Sequence, residues 1–186
     1  TAIRVGTKIG GHPDNVAPAL LGGLTASLTL EDRVESIRIE PPDDVVILAW
    51  IPERRLATSE MRRVLPDTVP RADAVANVAR VAVGIAALSA GWSNGFALLS
   101  ADRLHEPYRA AAYPELPALV MAARAAGAMG ACLAGSGSTI AAFVAVEGPV
   151  DEVGAALEAS STALGLDGRL VMLRPQPLGA RGIEAD

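Results

Sequence analysis

Apolar and polar positions change period several times along this chain, and those changes divide it into elements. After Gly11-His12, the run Pro13-Asp14-Asn15-Val16-Ala17-Pro18-Ala19-Leu20-Leu21 reads as a helix that Gly22-Gly23 stops. Proline suits the first helical position, where its missing N–H is no loss, and Asp14 complements the positive end of the helix dipole. Residues 24–30 and 33–39 alternate apolar and polar around Glu31-Asp32-Arg33, which predicts a hairpin. Beyond the break at Pro41-Pro42-Asp43-Asp44, the unbroken run Val45 to Ile51 predicts a central strand buried on both faces. Helices are predicted over 58–65, 71–90, 92–101, 115–126 and 149–163. Strands are predicted over 132–134, 140–146 and 169–174, with a glycine turn joining the first two. The class is mixed α+β. No repeat or low-complexity tract appears, so residues 11–175 read as one folded unit, followed beyond Pro177 by a polar tail expected to fray.

Composition narrows the ligand class. Of the 186 residues 51% are apolar but only 3% aromatic, so the core must be built from Ala, Val, Leu and Ile. Net charge is −5 with arginines scattered along the chain, which argues against nucleic acid or an anionic membrane as the partner and favours a small polar ligand. Cys132 is a single cysteine, and no Cys/His spacing suits zinc, so a reducing cytoplasm is the expected compartment and no metal site is assigned. No apolar run approaches the roughly 18 residues of a membrane span, and residues 1–20 carry no secretory pattern.

Four segments could carry chemistry. His12 and Asn15 share a face at a helix N-terminus, where free backbone N–H groups favour an anion; a capped surface helix with a buried, hydrogen-bonded histidine fits the spacing equally well. In Thr58-Ser59-Glu60-Met61-Arg62-Arg63, Thr58 can cap a helix and Arg62 projects from the same side; solvated arginines on a capped helix are the plainer alternative. Asp102-Arg103-Leu104-His105-Glu106-Pro107-Tyr108-Arg109 offers either a guanidinium to grip a carboxylate or phosphate, or an internally satisfied polar turn. Gly135-Ser136-Gly137-Ser138-Thr139 is either an anion nest or a plain tight turn, and it is not a P-loop, since no lysine and no helix pattern follow.

In order and spacing these segments resemble the homoserine kinases of the GHMP kinase superfamily, over roughly residues 11–146. The resemblance implies a C-terminal ferredoxin-like domain over 41–186, with residues 1–40 as the remnant of an N-terminal domain like domain 2 of ribosomal protein S5. It implies transfer of the γ-phosphoryl group of ATP, with Mg2+, to the side-chain hydroxyl of L-homoserine, on the route to threonine. His12, Asn15, Arg62 and Arg109 are then substrate-binding, the two arginines holding the carboxylate. Asn15 near the hydroxyl and Thr58 near the reacting centre are the catalytic candidates. Gly135, Ser136, Gly137, Ser138 and Thr139 form the loop that closes over the site. A homodimer is compatible with the resemblance.

Three features depart from the family pattern. The Pro-x-x-x-Gly-Leu-Gly-Ser-Ser-Ala-like nucleotide loop is absent from these residues, so it is expected in a portion ahead of Thr1 or in a partner chain, and turnover by this chain alone is not expected. Gly10-Gly11 replaces the acidic magnesium ligand that many relatives carry before the Gly-His-Pro segment. Ser138 stands where a proline is usual and is expected to loosen the glycine turn. Two other readings remain: a kinase for another small alcohol such as mevalonate or a sugar, and a catalytically silent binding or interaction module.

Overall fold

The computed structural model describes residues 12–31 and 33–181, so Gly10, Gly11 and the segment before them lie outside the described residues. The chain divides into two compact units, where the residue pattern alone reads as one over 11–175. The first comprises residues 1–43 and 175–186, the second residues 44–174.

In the first unit, α1 (Pro13–Leu21) has proline at its start, and the Gly22 amide closes its end on the Pro18 carbonyl at 2.9 Å. Strands β1 (Leu24–Thr29) and β2 (Val34–Ile39) pair antiparallel from Leu24↔Ile39 to Thr29↔Val34. The Ser27 and Ser36 hydroxyls meet across the pair at 2.9 Å. Residues 176–180 are bonded to the rest of the unit, where fraying is expected beyond Pro177. Gly23 donates to the Gln176 carbonyl (2.7 Å), Ala180 to the Ala19 carbonyl (2.8 Å) and Arg38 Nη2 to the Pro177 carbonyl (2.8 Å). Backbone approaches backbone so closely here that a Cβ at Gly179 would overlap the Leu20 carbonyl, and one at Gly22 would overlap Gly179. The short polar sequence of the tail gives no hint of this, because its contacts are made by main-chain groups.

The second unit holds β3 (Val45–Pro52), α2 (Thr58–Arg63), α3 (Arg71–Ser89), α4 (Gly95–Leu99), α5 (Glu106–Arg109), α6 (Leu116–Ala125), β4 (Gly130–Leu133), β5 (Ile140–Ala145), α7 (Val150–Ala163) and β6 (Gly168–Leu173). The sheet order is β4-β5-β3-β6, antiparallel throughout, which is the βαββαβ ferredoxin-like arrangement. Alternation decides the layers. Val46, Leu48 and Trp50 pair with Val144, Ala142 and Ile140, and this face is buried with Leu119, Ala123, Val153 and Leu157 of α6 and α7. Phe143 points the other way and stacks on Phe96 of α4, ring centres 4.4 Å apart. β3 is therefore largely covered on both faces, as its unbroken apolar run predicts.

Two elements differ from expectation. The helix expected over 92–101 shrinks to α4, because the Trp92 amide turns back to the Ala87 carbonyl (2.8 Å) and residues 92–95 form a turn. Helix α3, 19 residues with a best-window mean hydropathy of 1.4, is long and apolar enough to cross a membrane by length and composition alone. This differs from the expectation that no apolar run nears that length; Asp73, Asn77 and Arg80 are polar positions within the helix. Those three side chains tie α3 to its own unit: Asp73 to Arg103 (3.3 Å), Asn77 to Asp102 (2.8 Å) and Arg80 to the Ala101 carbonyl (2.6 Å). Gly84 and Gly95 let α3 and α4 cross in close contact, since a Cβ on either would strike the other helix.

Candidate functional site

The turn between β4 and β5 is where predicted site residues of the second unit meet. Within it the Ala134 amide donates to the Thr139 carbonyl (2.9 Å) and the Gly137 amide to the Ala134 carbonyl (3.0 Å). Gly135 and Gly137 have φ of 57° and 98°, the left-handed region that favours glycine. A Cβ on Gly135 would meet nothing within 4 Å, so that side of the turn is open.

Three groups from elsewhere in the unit hold the turn. The Thr58 and Ser136 hydroxyl oxygens lie 3.2 Å apart, Arg109 Nη1 donates to the Gly135 carbonyl at 2.7 Å, and Ser138 Oγ donates to the Arg54 carbonyl at 2.7 Å. Two expectations change. Thr58 does not cap α2: Ala57 occupies that position without a side-chain bond, and the Thr58 hydroxyl serves the glycine turn instead. Ser138 ties the turn to the segment after β3 by a bond that proline, with no hydroxyl, cannot make.

Arg109 owes its position to Asp102. The Asp102 carboxylate accepts hydrogen bonds from Asn77 Nδ2 (2.8 Å) and from the amides of Leu104 (3.1 Å), His105 (2.6 Å) and Glu106 (2.6 Å), fixing the start of the four-residue α5. His105 Nδ1 lies 3.2 Å from the same carboxylate. Burial alone would push the Asp102 pKa up, but the bonds from Glu106, Asn77, Leu104 and His105 outweigh it and bring it to about 2. The polar turn is thus internally satisfied and presents a guanidinium as well. Sequence reasoning missed Asp102 and Glu106 as its organisers, although Pro107 just inside a helix start was the available signal.

The guanidinium of Arg109 is partly buried, and its Nε–H has no hydrogen-bond partner among the described residues. Burial lowers the Arg109 pKa, the Asp102 and Glu106 carboxylates oppose that, and the charge of Arg62 adds to it. Arg62 is therefore near enough to repel Arg109. It sits exposed on α2, which its neighbour Met61 pins to the core with no exposed surface. The unmet Nε–H donor of Arg109, with the positive charge of Arg62 acting on the same guanidinium, is the feature of this unit that could hold an anion.

His12 and Asn15 belong to the first unit. The His12 carbonyl accepts the Asn15 and Val16 amides at 3.0 Å each, its side chain does not cap the helix, and both residues are exposed, which excludes the buried-histidine alternative. Among the described residues no three His, Cys, Asp or Glu side chains cluster as a metal ion held by protein groups alone would require.

This arrangement has known counterparts. Residues 82–161 match the family described as GHMP kinases C terminal. The homoserine kinase of Moorella thermoacetica is 40% identical over 178 residues, covering 96% of this chain and 60% of that protein. The homoserine kinase of Carboxydothermus hydrogenoformans is 39% identical, covering 96% of this chain and 57% of that protein. The crystal structure of homoserine kinase from Cytophaga hutchinsonii superposes with a TM-score of 0.84 over 92% of this chain and 54% of that one, at 24% identity, and establishes the fold. Residues 82–161, within the second unit, thus carry the C-terminal pattern of the GHMP kinase superfamily. Within that superfamily the relatives named here are homoserine kinases, and the chain spans about 60% of the length of the curated ones.

Proposed function

We propose that this chain is the acceptor-binding part of a homoserine kinase, which transfers the γ-phosphoryl group of ATP to the side-chain hydroxyl of L-homoserine in the cytoplasm. The observation that carries the reading is the Arg109 guanidinium, tied to the glycine turn yet holding an unmet donor beside the charge of Arg62. A small zwitterion offers little apolar surface, so its affinity must come from charge-assisted hydrogen bonds, and two guanidinium groups on one carboxylate supply orientation too. Orientation is most of the task, because phosphoryl transfer to an alcohol passes through a loose transition state in which in-line placement outweighs a strong base.

In this reading Arg62 and Arg109 hold the carboxylate, and Thr58 and the turn from Gly135 to Thr139 border the reacting hydroxyl, while His12 and Asn15 of the first unit keep the substrate-binding role that the resemblance implies. The first unit is assigned to the superfamily's N-terminal domain. Nucleotide binding is assigned to a glycine-serine loop that these 186 residues do not contain.

Calorimetry on residues 1–186 tests this directly. L-homoserine is expected to give saturable heat, mevalonate and galactose none, and an ATP-coupled assay on the same residues no turnover. Saturable heat with another alcohol and none with homoserine would overturn the acceptor; no heat with any of them would leave a silent interaction module.

A further inference from the structure

We infer that Glu106 is a positioning residue, whose carboxylate, bound to the Leu133 amide, locks α5 and the Arg109 it carries in register with the glycine turn. The inference deepens the reading of Arg109 as a carboxylate ligand and rests on it.

A four-residue helix has no stability of its own, so its place must be fixed by tertiary bonds. Asp102 fixes where α5 starts, its hydrogen bonds coming from Asn77 and residues 104–106. The link to the turn is made by two bonds of opposite polarity. Glu106 Oε1 accepts the Leu133 N–H at 2.6 Å, and three residues on, Arg109 Nη1 donates to the Gly135 carbonyl at 2.7 Å. An acceptor on the helix meets an N–H of the strand, and a donor meets a carbonyl two residues later. A slip of one residue would set Glu106 against a carbonyl and break both.

The strand's topology explains why a carboxylate is there. β4 is the edge of the sheet, bonded only to β5, so its outer amides have no neighbouring strand. A half-buried orphan N–H is unfavourable, and Glu106 supplies the acceptor a further strand would have given. Burial raises the Glu106 pKa, the Leu133 amide opposes it, Asp102 adds to it, and Arg124 and Arg109 oppose it. Arg124 is itself engaged with the Ser100 and Ala131 carbonyls at 2.7 and 2.8 Å, which leaves the Leu133 amide as the hydrogen-bond partner that Glu106 Oε1 serves.

Amide hydrogen exchange and homoserine calorimetry on residues 1–186 test the lock. In Glu106→Ala, exchange across residues 133–139 is expected to speed up about tenfold or more while β3 and β6 amides stay within about twofold, and homoserine affinity is expected to fall about tenfold. Glu106→Gln, whose amide oxygen still accepts from Leu133, should remain within about threefold of the native protein in both measurements. Should the alanine variant not fold, Glu106→Asp keeps the charge, falls one methylene short and carries the same expectation. Unchanged exchange at 133–139, an equal rise throughout the unit, or glutamine as impaired as alanine would overturn the inference. So would a freed turn that leaves affinity intact. If the native protein binds no homoserine while exchange behaves as expected, the functional reading fails and the lock itself stands.

Discussion

The polar end of α1 and the polar surroundings of the β4–β5 turn carry residues of one family pattern, yet they differ in exposure and in the side-chain bonds around the turn. His12 and Asn15 are exposed, and the helix start they occupy is built by backbone bonds from the His12 carbonyl. Around the turn, Thr58, Arg109, Ser138, Asp102 and Glu106 each make a side-chain bond within their own unit. A site residue fixed by such bonds has its geometry set before ligand arrives, and changing it disturbs fold and function together. An exposed one should separate the two.

The largest effect that could break this contrast is at Arg109. Arg109→Ala should weaken homoserine binding by more than about 1.5 kcal/mol, over tenfold, by calorimetry; unchanged affinity in a folded variant would remove it from the site. Next comes Asp102→Ala, which loses the group fixing α5 and should lower stability to urea by about 1–2 kcal/mol. Its native pKa of about 2 lies below the ordinary value of 3.8, so its stabilisation is full above that ordinary value and is lost as pH falls through 2. Native protein should therefore weaken between about pH 4 and pH 2, and Asp102→Asn should show a shallower fall over that window. Ser138→Ala, which cuts one bond of the turn, should cost about 0.5–1.5 kcal/mol in the same unfolding assay. Smallest of all, Asn15→Ala should shift stability by no more than about 0.5 kcal/mol while still weakening homoserine binding. A large stability loss there would erase the contrast.

What could be read in the sequence follows the same division. Strand β3, the hairpin, α1 with its glycine stop and the positions of the four polar segments were legible because they depend on local period and on Gly and Pro. The role of Thr58 was not, since its spacing equally suits a cap and only the tertiary fold brings Ser136 to it. Glu106 and Asp102 were quoted as part of a polar group without roles, because an edge amide at Leu133 becomes visible only once the sheet order is known. The tail's attachment was hidden for a further reason: it rests on main-chain groups, which every sequence has. The likeness to GHMP kinases was legible from residue letters, whereas the way those letters support one another was not.

The first unit is stitched together from stretches far apart in the chain, with Ala180 returning to Ala19 and Gln176 to Gly23. During synthesis, then, residues 12–43 must wait for the whole ferredoxin-like unit to emerge before their last partners exist. Shortening the chain after Arg174 would leave that later-emerging unit whole and strip its elder neighbour of the clasp that completes it.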